Sequence, residues 1–319
     1  MLHGELLANC FGILPKDVHE VKGGWSAKAY RVDAGNFTYF LKVYDKTQPS
    51  VQPWIKRIDA YISVLGWLCK TKELRGFIAE PIPSLNGNYK VETADHVFLL
   101  FTFVKGDTPG ERGMSPAQIA ELAYILAQLH SFGESIPCDI SGLHEDVSLS
   151  LCYKLEHFIS EAQNHDTLSQ LICPNANMIS SVIAETLRLR DTARLPAKSL
   201  VLCHTDAHHN NVIQGDRLVL VDWEDLRLAP AEADLFMYAL NPEWPTFWQS
   251  YSAFRRDFQM DTALMRFYIL KRRLEDIWYY MSRVLLDKPS EVEASRIYGR
   301  LRSIFSETQR LFDGEINVT

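Results

Sequence analysis

The feature that most narrows the fold is a pair of short apolar runs set in sequence that otherwise reads as helix. Leu200-Val201-Leu202-Cys203 and Leu218-Val219-Leu220-Val221 are each of strand length, with polar residues and Gly215-Asp216 between them. Apolar runs this short, bounded by turn-formers, fit buried strands better than helix. The spacing therefore predicts a buried hairpin inside a helical region. The first run is followed by His204-Thr205-Asp206-Ala207-His208-His209-Asn210-Asn211, and the second ends in Val221-Asp222-Trp223-Glu224. This layout can set the side chains of Asp206, Asn211 and Asp222 around one point. A carboxylate there can orient a hydroxyl and accept its proton. An amide oxygen and a second carboxylate are the hard donors that Mg²⁺ prefers.

The sequence before this feature is strand-rich. Thr38-Tyr39-Phe40-Leu41-Lys42-Val43-Tyr44 is aromatic and β-branched, and Asp33-Ala34-Gly35-Asn36 joins it to Ala29-Tyr30-Arg31-Val32, so the two read as a hairpin. Residues 55–69 carry Ile55, Ile58, Ile62, Leu65 and Leu68 at helical spacing. Asn86-Gly87-Asn88 separates two further strand candidates, the second over residues 96–103. Beyond Gly106 the pattern turns helical. Ser115-Pro116-Ala117-Gln118 has the form of a capping box with proline in the first turn. Ile119, Leu122, Ile125, Leu126 and Leu129 follow on one face, and helical patterns recur at 149–163, 179–190 and 262–286. The expected organisation is α+β, with a small strand-rich lobe over residues 1–104 and a larger helical lobe over 105–319.

Composition bounds the partners. The chain has 319 residues, enough for two domains, and a net charge of −7, which argues against a nucleic-acid partner held by phosphate neutralisation. The six cysteines include no Cys-x-x-Cys pair and read as reduced thiols of a cytoplasmic protein. The longest apolar run, residues 97–104, is far short of a membrane span, and the N-terminus has no signal-peptide pattern.

His-x-Asp-x-x-x-x-Asn followed by an apolar strand ending in Asp resembles the signature of protein-kinase-like phosphotransferases. With Asp222-Trp223-Glu224 after the second strand, it resembles the aminoglycoside phosphotransferase and choline kinase family in particular. The resemblance implies a two-lobed protein-kinase-like fold and a nucleotide cofactor, ATP or GTP, with Mg²⁺. It implies Asp206 as the catalytic aspartate and Asn211 and Asp222 as metal ligands. His204 would buttress the loop, and Asp234, in Ala233-Asp234-Leu235, would brace it. Gly23-Gly24-Trp25-Ser26 falls where the family has its nucleotide-covering loop, so Gly23, Gly24 and Ser26 are expected at the phosphates. Lys42 matches the strand lysine that contacts those phosphates, and Asp59 is the candidate acid holding it, where the family usually has Glu. Thr102, Phe103 and Val104 resemble the adenine-binding hinge, and Ala127-Gln128-Leu129-His130 resembles the end of the following helix. Leu202-Cys203-His204, Asp222-Trp223-Glu224, Leu228-Ala229-Pro230 and Leu274-Glu275-Asp276-Ile277 look most like the spectinomycin phosphotransferase branch.

The expected acceptor is a small molecule with a hydroxyl, cationic if the acidic residues Glu224, Asp225, Glu275 and Asp276 bind it. Glu224 has a second expected role, assisting the metal. The competing explanation of Glu275 and Asp276 is ordinary ion pairing with Arg272, three and four residues back. Aminoglycoside or aminocyclitol antibiotics such as spectinomycin are one acceptor class; choline, homoserine and sugars are another. Two readings compete with catalysis of this kind. One is a non-catalytic nucleotide-binding module. The other is a zinc hydrolase built on His204, Asp206, His208 and His209, which leaves Asn211 and Lys42 without roles.

Overall fold

A computed structural model of the chain describes residues 2–21, 26–161, 166–193 and 199–312. Two compact units are present. The first comprises Met1–His144, Val201–Leu228 and Thr246–Arg256, and the second Glu145–Leu200, Ala229–Pro245 and Asp257–Thr319. The fold class is α+β: the N-terminal part is a sheet and the C-terminal part is helical.

The first unit is built on an antiparallel sheet of six strands: β1 (Asp17–Val21), β2 (Lys28–Ala34), β3 (Phe37–Asp45), β4 (Pro81–Ile82), β5 (Lys90–Glu92) and β6 (His96–Thr102). Its order is β1-β2-β3-β6-β4, with β5 also on β6. The expected hairpin is β2–β3, with Ala34 opposite Phe37 across a turn in which Gly35 has a φ of +70°. Because side chains alternate along a strand, Leu41 and Val43 of β3 face one side of the sheet and Lys42 and Tyr44 the other. Leu41 and Val43 join Leu7, Phe11, Val32, Phe98 and Leu100 in a buried cluster. Leu7 and Phe11 come from the N-terminal helix α1 (Leu2–Leu6) and the turn of π-helix that continues it, Leu7–Phe11. Full burial of such side chains is worth roughly 1.5–3 kcal/mol each.

Helix α2 (Gln52–Leu68) buries Ile58, Tyr61, Ile62, Val64, Leu65 and Leu68, the face expected from the apolar spacing. Helix α3 (Pro116–Leu129) begins as the sequence dictates. The Ser115 side chain accepts from the Gln118 N–H at 3.3 Å, and the Gln118 side chain accepts from the Ser115 N–H at 2.8 Å.

The predicted pairing of the two apolar runs is corrected. Strand β7 (Val201–Cys203) pairs with β10 (Arg227–Ala229), whereas β9 (Leu218–Leu220) pairs with β8 (Val212–Gln214). Residues 215–217 form a turn short enough to close β8 and β9 into a local hairpin, so β9 pairs with its neighbour in sequence and not with β7. That hairpin is fixed to the segment following β6: Asp107 and Gln214 exchange both backbone hydrogen bonds, at 3.2 and 2.9 Å.

The second unit is helical among the described residues: α4 (Ser150–Glu161), α5 (Thr167–Ile172), α6 (Ala176–Thr192), α7 (Glu232–Ala239), α9 (Thr262–Asp287) and α10 (Glu291–Phe312), with α8 (Trp244–Phe254) lying mostly in the first unit. The long α9 is the centre against which α4, α6, α7 and α10 pack. Its cap is Asp261, whose carboxylate accepts from the N–H groups of Ala263 and Leu264. No helix among the described residues is long and apolar enough to cross a membrane.

The Asp107–Gln214 join leaves no room for a side chain at Gly106. Its φ is +148°, and a Cβ there would lie 2.1 Å from the Gln214 carbonyl oxygen. Gly106→Ala is expected to destabilise the protein by about 2 kcal/mol or more in urea titrations. Gly35→Ala, where a Cβ meets nothing within 4 Å, should cost only the left-handed conformation, about 1 kcal/mol. Equal losses would show that the approach at Gly106 is not a constraint.

Candidate active site

The polar face of β3 meets the turn after β9. Lys42 lies between Ala29 on β2 and Leu99 on β6 in the register, so its side chain leaves from the middle of the sheet. Its Nζ donates to Asp222 Oδ1 and to Glu224 Oε1, each at 2.6 Å. Burial works against the ammonium charge, but the carboxylates of Asp222 and Glu224 outweigh it, and the Lys42 pKa is raised. Burial likewise opposes the charge on Asp222, and the Lys42 ammonium reverses that, so the Asp222 pKa is lowered. Tyr44, one turn of the pleat away, donates to Glu224 Oε1 at 2.5 Å, and Ser26 donates to Glu224 Oε2 at 2.7 Å. Burial raises the pKa of both Tyr44 and Tyr61, keeping these phenols as donors.

The catalytic-loop candidates form a second, adjoining group. The Asn211 side-chain amide donates to the Asp206 backbone carbonyl and to Asp206 Oδ2, both at 2.8 Å. With its N–H groups used this way, the amide oxygen is the part of Asn211 suited to a cation. The Val221 N–H donates to the Asn211 carbonyl at 2.9 Å, tying this loop to the residue before Asp222. His204, fully buried, makes a second tie. Its Nδ1 accepts from the Asp206 N–H at 3.2 Å, which places the ring proton on Nε2, 3.0 Å from the Val221 carbonyl oxygen that accepts it. The edge of the ring packs on Trp223, with centroids 4.6 Å apart.

Two non-glycine residues here have left-handed backbone, Thr205 with φ 63° and Asp222 with φ 67°. Aspartate tolerates that region, but a β-branched threonine is disfavoured there and persists only where its surroundings impose it. The Thr205 hydroxyl, donating to the Asp225 carbonyl at 2.9 Å, is one such constraint. The side chains that hold this turn bring an amide and two carboxylates into one region. Asp222 and Asn211 fit a Mg²⁺ site on the chemistry of their donors: hard oxygens, one of them a carboxylate held ionised.

Several expected assignments change. Asp59 does not hold Lys42: it is on the exposed side of α2, and its carboxylate takes Lys90 at 2.5 Å. The lysine finds its acids on the turn instead, one of them the Glu224 that sequence reasoning placed at the acceptor or the metal. Tyr44 and Tyr61 were missed; the signal available was a tyrosine two residues beyond Lys42, on the same strand face. Ser26, expected at the phosphates, has its hydroxyl on Glu224. Gly23 and Gly24 lie outside the described residues. At the hinge, the Thr102 N–H donates to Glu80 and the Phe103 N–H to Thr38.

The acidic set expected to receive a cationic acceptor is already neutralised within the protein. Asp225 accepts from Arg57 and from Arg227. On α9, Glu275 pairs with Lys271 at 2.6 Å and Asp276 with Arg272 at 2.9 Å. Asp234 is fully buried at the start of α7 in the second unit. Phe247 and Tyr251 of α8 are fully buried, and the Tyr251 hydroxyl lies 2.7 Å from His130 Nδ1.

The family model described as the phosphotransferase enzyme family matches residues 17–268. The chain belongs to this family. Its fold is similar to that of spectinomycin phosphotransferase APH(9)-Ia in complex with ADP and spectinomycin, with a TM-score of 0.74 at 20% identity over 97% of this chain and 98% of that one. It is also similar to a microcompartment-associated aminopropanol kinase, with a TM-score of 0.67 at 14% identity over 100% of this chain and 99% of that one. Among curated proteins, Protein StrN of Streptomyces griseus is 22% identical over 245 residues, 73% of each chain. This phosphotransferase therefore combines its family's fold with the lysine–carboxylate centre described above.

Removing the cation from that centre should expose its energetics. Lys42→Met leaves buried Glu224 without its counter-charge and is expected to cost about 3 kcal/mol in denaturant unfolding. Lys42→Met combined with Glu224→Gln should lose less than Lys42→Met alone. Additive losses would show that the pair is not coupled in the fold.

Proposed function

We propose that this phosphotransferase moves the γ-phosphate of ATP, with Mg²⁺, to a hydroxyl of a small molecule. The observation that carries the reading is the Lys42–Asp222 ion pair beside the Asp206–Asn211 pair, all within one compact unit. In this reading residues 1–104 carry the nucleotide-binding parts, and residues 105–319 carry the catalytic loop and the acceptor site, in a cytoplasmic enzyme. Lys42 contacts the α- and β-phosphates, and the glycine loop covers them. The adenine is held along residues 102–104. Since Thr102 and Phe103 have donated their N–H groups within the protein, the donor to the base is the N–H of Val104.

Asn211 and Asp222 would hold Mg²⁺, which when bound offsets the charge of the phosphates. Asp206 orients the acceptor hydroxyl and receives its proton. Asn211 fixes the carboxylate of Asp206 from below through Oδ2, and His204 fixes its backbone. Most of the rate then comes from positioning and electrostatics.

The similarity to spectinomycin phosphotransferase supports an aminocyclitol or aminoglycoside as the first acceptor to test, and the similarity to aminopropanol kinase supports a small amino alcohol. A coupled ATP-consumption screen over aminocyclitols, aminoglycosides, choline, amino alcohols and sugars decides between them. Turnover with one of these classes is expected. Silence with all antibiotics but activity with an amino alcohol or sugar would replace the resistance reading with a metabolic one. Tightly bound zinc in elemental analysis, with no binding of ATP, would overturn the kinase reading altogether. Asp206→Ala should bind ATP within a few-fold of the parent protein and lose roughly 10²–10⁴ in turnover. Near-normal turnover in that variant would remove Asp206 from its role.

A further inference from the structure

The buried ammonium of Lys42 has two carboxylate partners of different character. Asp222 is one-third exposed, with a side-chain accessibility of 33%, whereas Glu224 is closed off at 9%. The oxygens of Glu224 are occupied by the protein itself: Oε1 accepts from Lys42 and Tyr44, and Oε2 accepts from Ser26. Tyr61 of α2 is buried and close enough to Tyr44 and Glu224 to feel both electrostatically. Helix α2 contains a single acid, Asp59, which is exposed and spent on Lys90. It therefore presents a tyrosine, not a carboxylate, toward this centre.

A buried cation needs a counter-charge that does not leave. Asp222 is a weaker permanent partner if it ligates a metal ion, because the ion draws on the same carboxylate that Lys42 holds through Oδ1. Glu224, with donors on both oxygens and shielded from solvent, is far less open to a metal or an acceptor than Asp222. We propose that Glu224 is the positioning residue for Lys42, its permanent counter-charge, and that it leaves Asp222 free to bind the metal. Through Ser26 the same carboxylate also fixes the C-terminal end of the glycine loop. The lysine, the loop end and the metal ligand are thus referenced to one short turn, Asp222 to Asp225, and not to helix α2. This inference rests on the kinase reading above.

Calorimetric titration of the full chain with ATP at a series of Mg²⁺ concentrations tests it. Glu224→Gln leaves Lys42 with Asp222 alone. The expected result is about tenfold weaker ATP binding or worse, together with a higher Mg²⁺ concentration for half-maximal binding. Glu224→Asp, which keeps the charge on a shorter arm, should show both effects to a smaller degree. Asp59→Asn should stay within about twofold of the parent protein in both. A role confined to packing would lower thermal stability without moving the Mg²⁺ requirement. Parent-like ATP affinity and Mg²⁺ dependence in Glu224→Gln would overturn the proposal, as would an equal loss in Asp59→Asn. If Glu224→Gln does not fold by circular dichroism, the same reading applies to Glu224→Asp: a shift supports the proposal and parent-like behaviour overturns it. Failure of the parent protein itself to bind ATP with Mg²⁺ would instead overturn the kinase reading.

Discussion

The interaction on which the site depends is the buried charge centre of Lys42, Asp222 and Glu224. The Lys42 side chain leaves the middle of the sheet with only 13% of its surface accessible, so its charge has little water to meet it. Its charge must be met where it stands, and the turn after β9 meets it. This requirement places the turn against the polar face of β3, and Arg57 of α2, bound to Asp225 and to the Leu226 carbonyl, holds the turn from the other direction. The apolar face of the same strand is settled independently by Leu41 and Val43. One strand thus divides its alternating positions between a hydrophobic cluster that supplies stability and an ionic one that supplies chemistry.

The ionic centre is stable as a network more than as separate pairs. A lone buried ion pair often gains little over an apolar replacement, because both ions must be desolvated. Here Tyr44 adds a second donor to the Glu224 oxygen that takes Lys42, and Ser26 donates to the other, which is the condition under which such a group is tolerated. The loop beside it is held by backbone ties: His204 spans from the Asp206 N–H to the Val221 carbonyl, and Val221 returns a bond to Asn211. With Thr205 and Asp222 both in left-handed conformation, the loop and the turn have little freedom to drift. Positional accuracy of this sort is what a reaction governed by orientation and electrostatics requires.

What could be read from the sequence was what local chemistry decides. The capping box at Ser115 and Gln118 depends on residues three apart, and the β2–β3 hairpin on a turn of two, so both were visible in the pattern. The spacing of Asp206, Asn211 and Asp222 was equally visible, because a loop and its flanking strands constrain each other. The errors concern partners chosen in three dimensions. Asp59 sits at a plausible distance in the chain from Lys42, but its helix turns it outward to Lys90. The two apolar runs have the form of a hairpin, yet each found another strand, β9 the nearer β8 and β7 the later β10. Glu224 was legible as an acid beside a metal ligand. Its real surroundings, a lysine, a tyrosine and a serine from residues 26–44, could not be inferred from its neighbours in sequence.

The same contrast bears on how an acceptor is recognised. A net charge of −7 invites the idea of an anionic pocket for a cationic substrate. The candidate acids do not form one, since Glu224, Asp225, Glu275 and Asp276 each already carry a lysine or arginine. A carboxylate neutralised by its own protein attracts a second cation weakly unless that cation displaces the first, and displacement costs the pair already made. Net charge is thus a poor guide to this site. The acids that matter are those whose partner is exchangeable, and Asp222, more exposed than Glu224 and sharing its lysine with it, meets that description best. Two carboxylates on one lysine let a metal ion take Asp222 while the ammonium stays neutralised by Glu224, so the lysine keeps its place as the metal arrives.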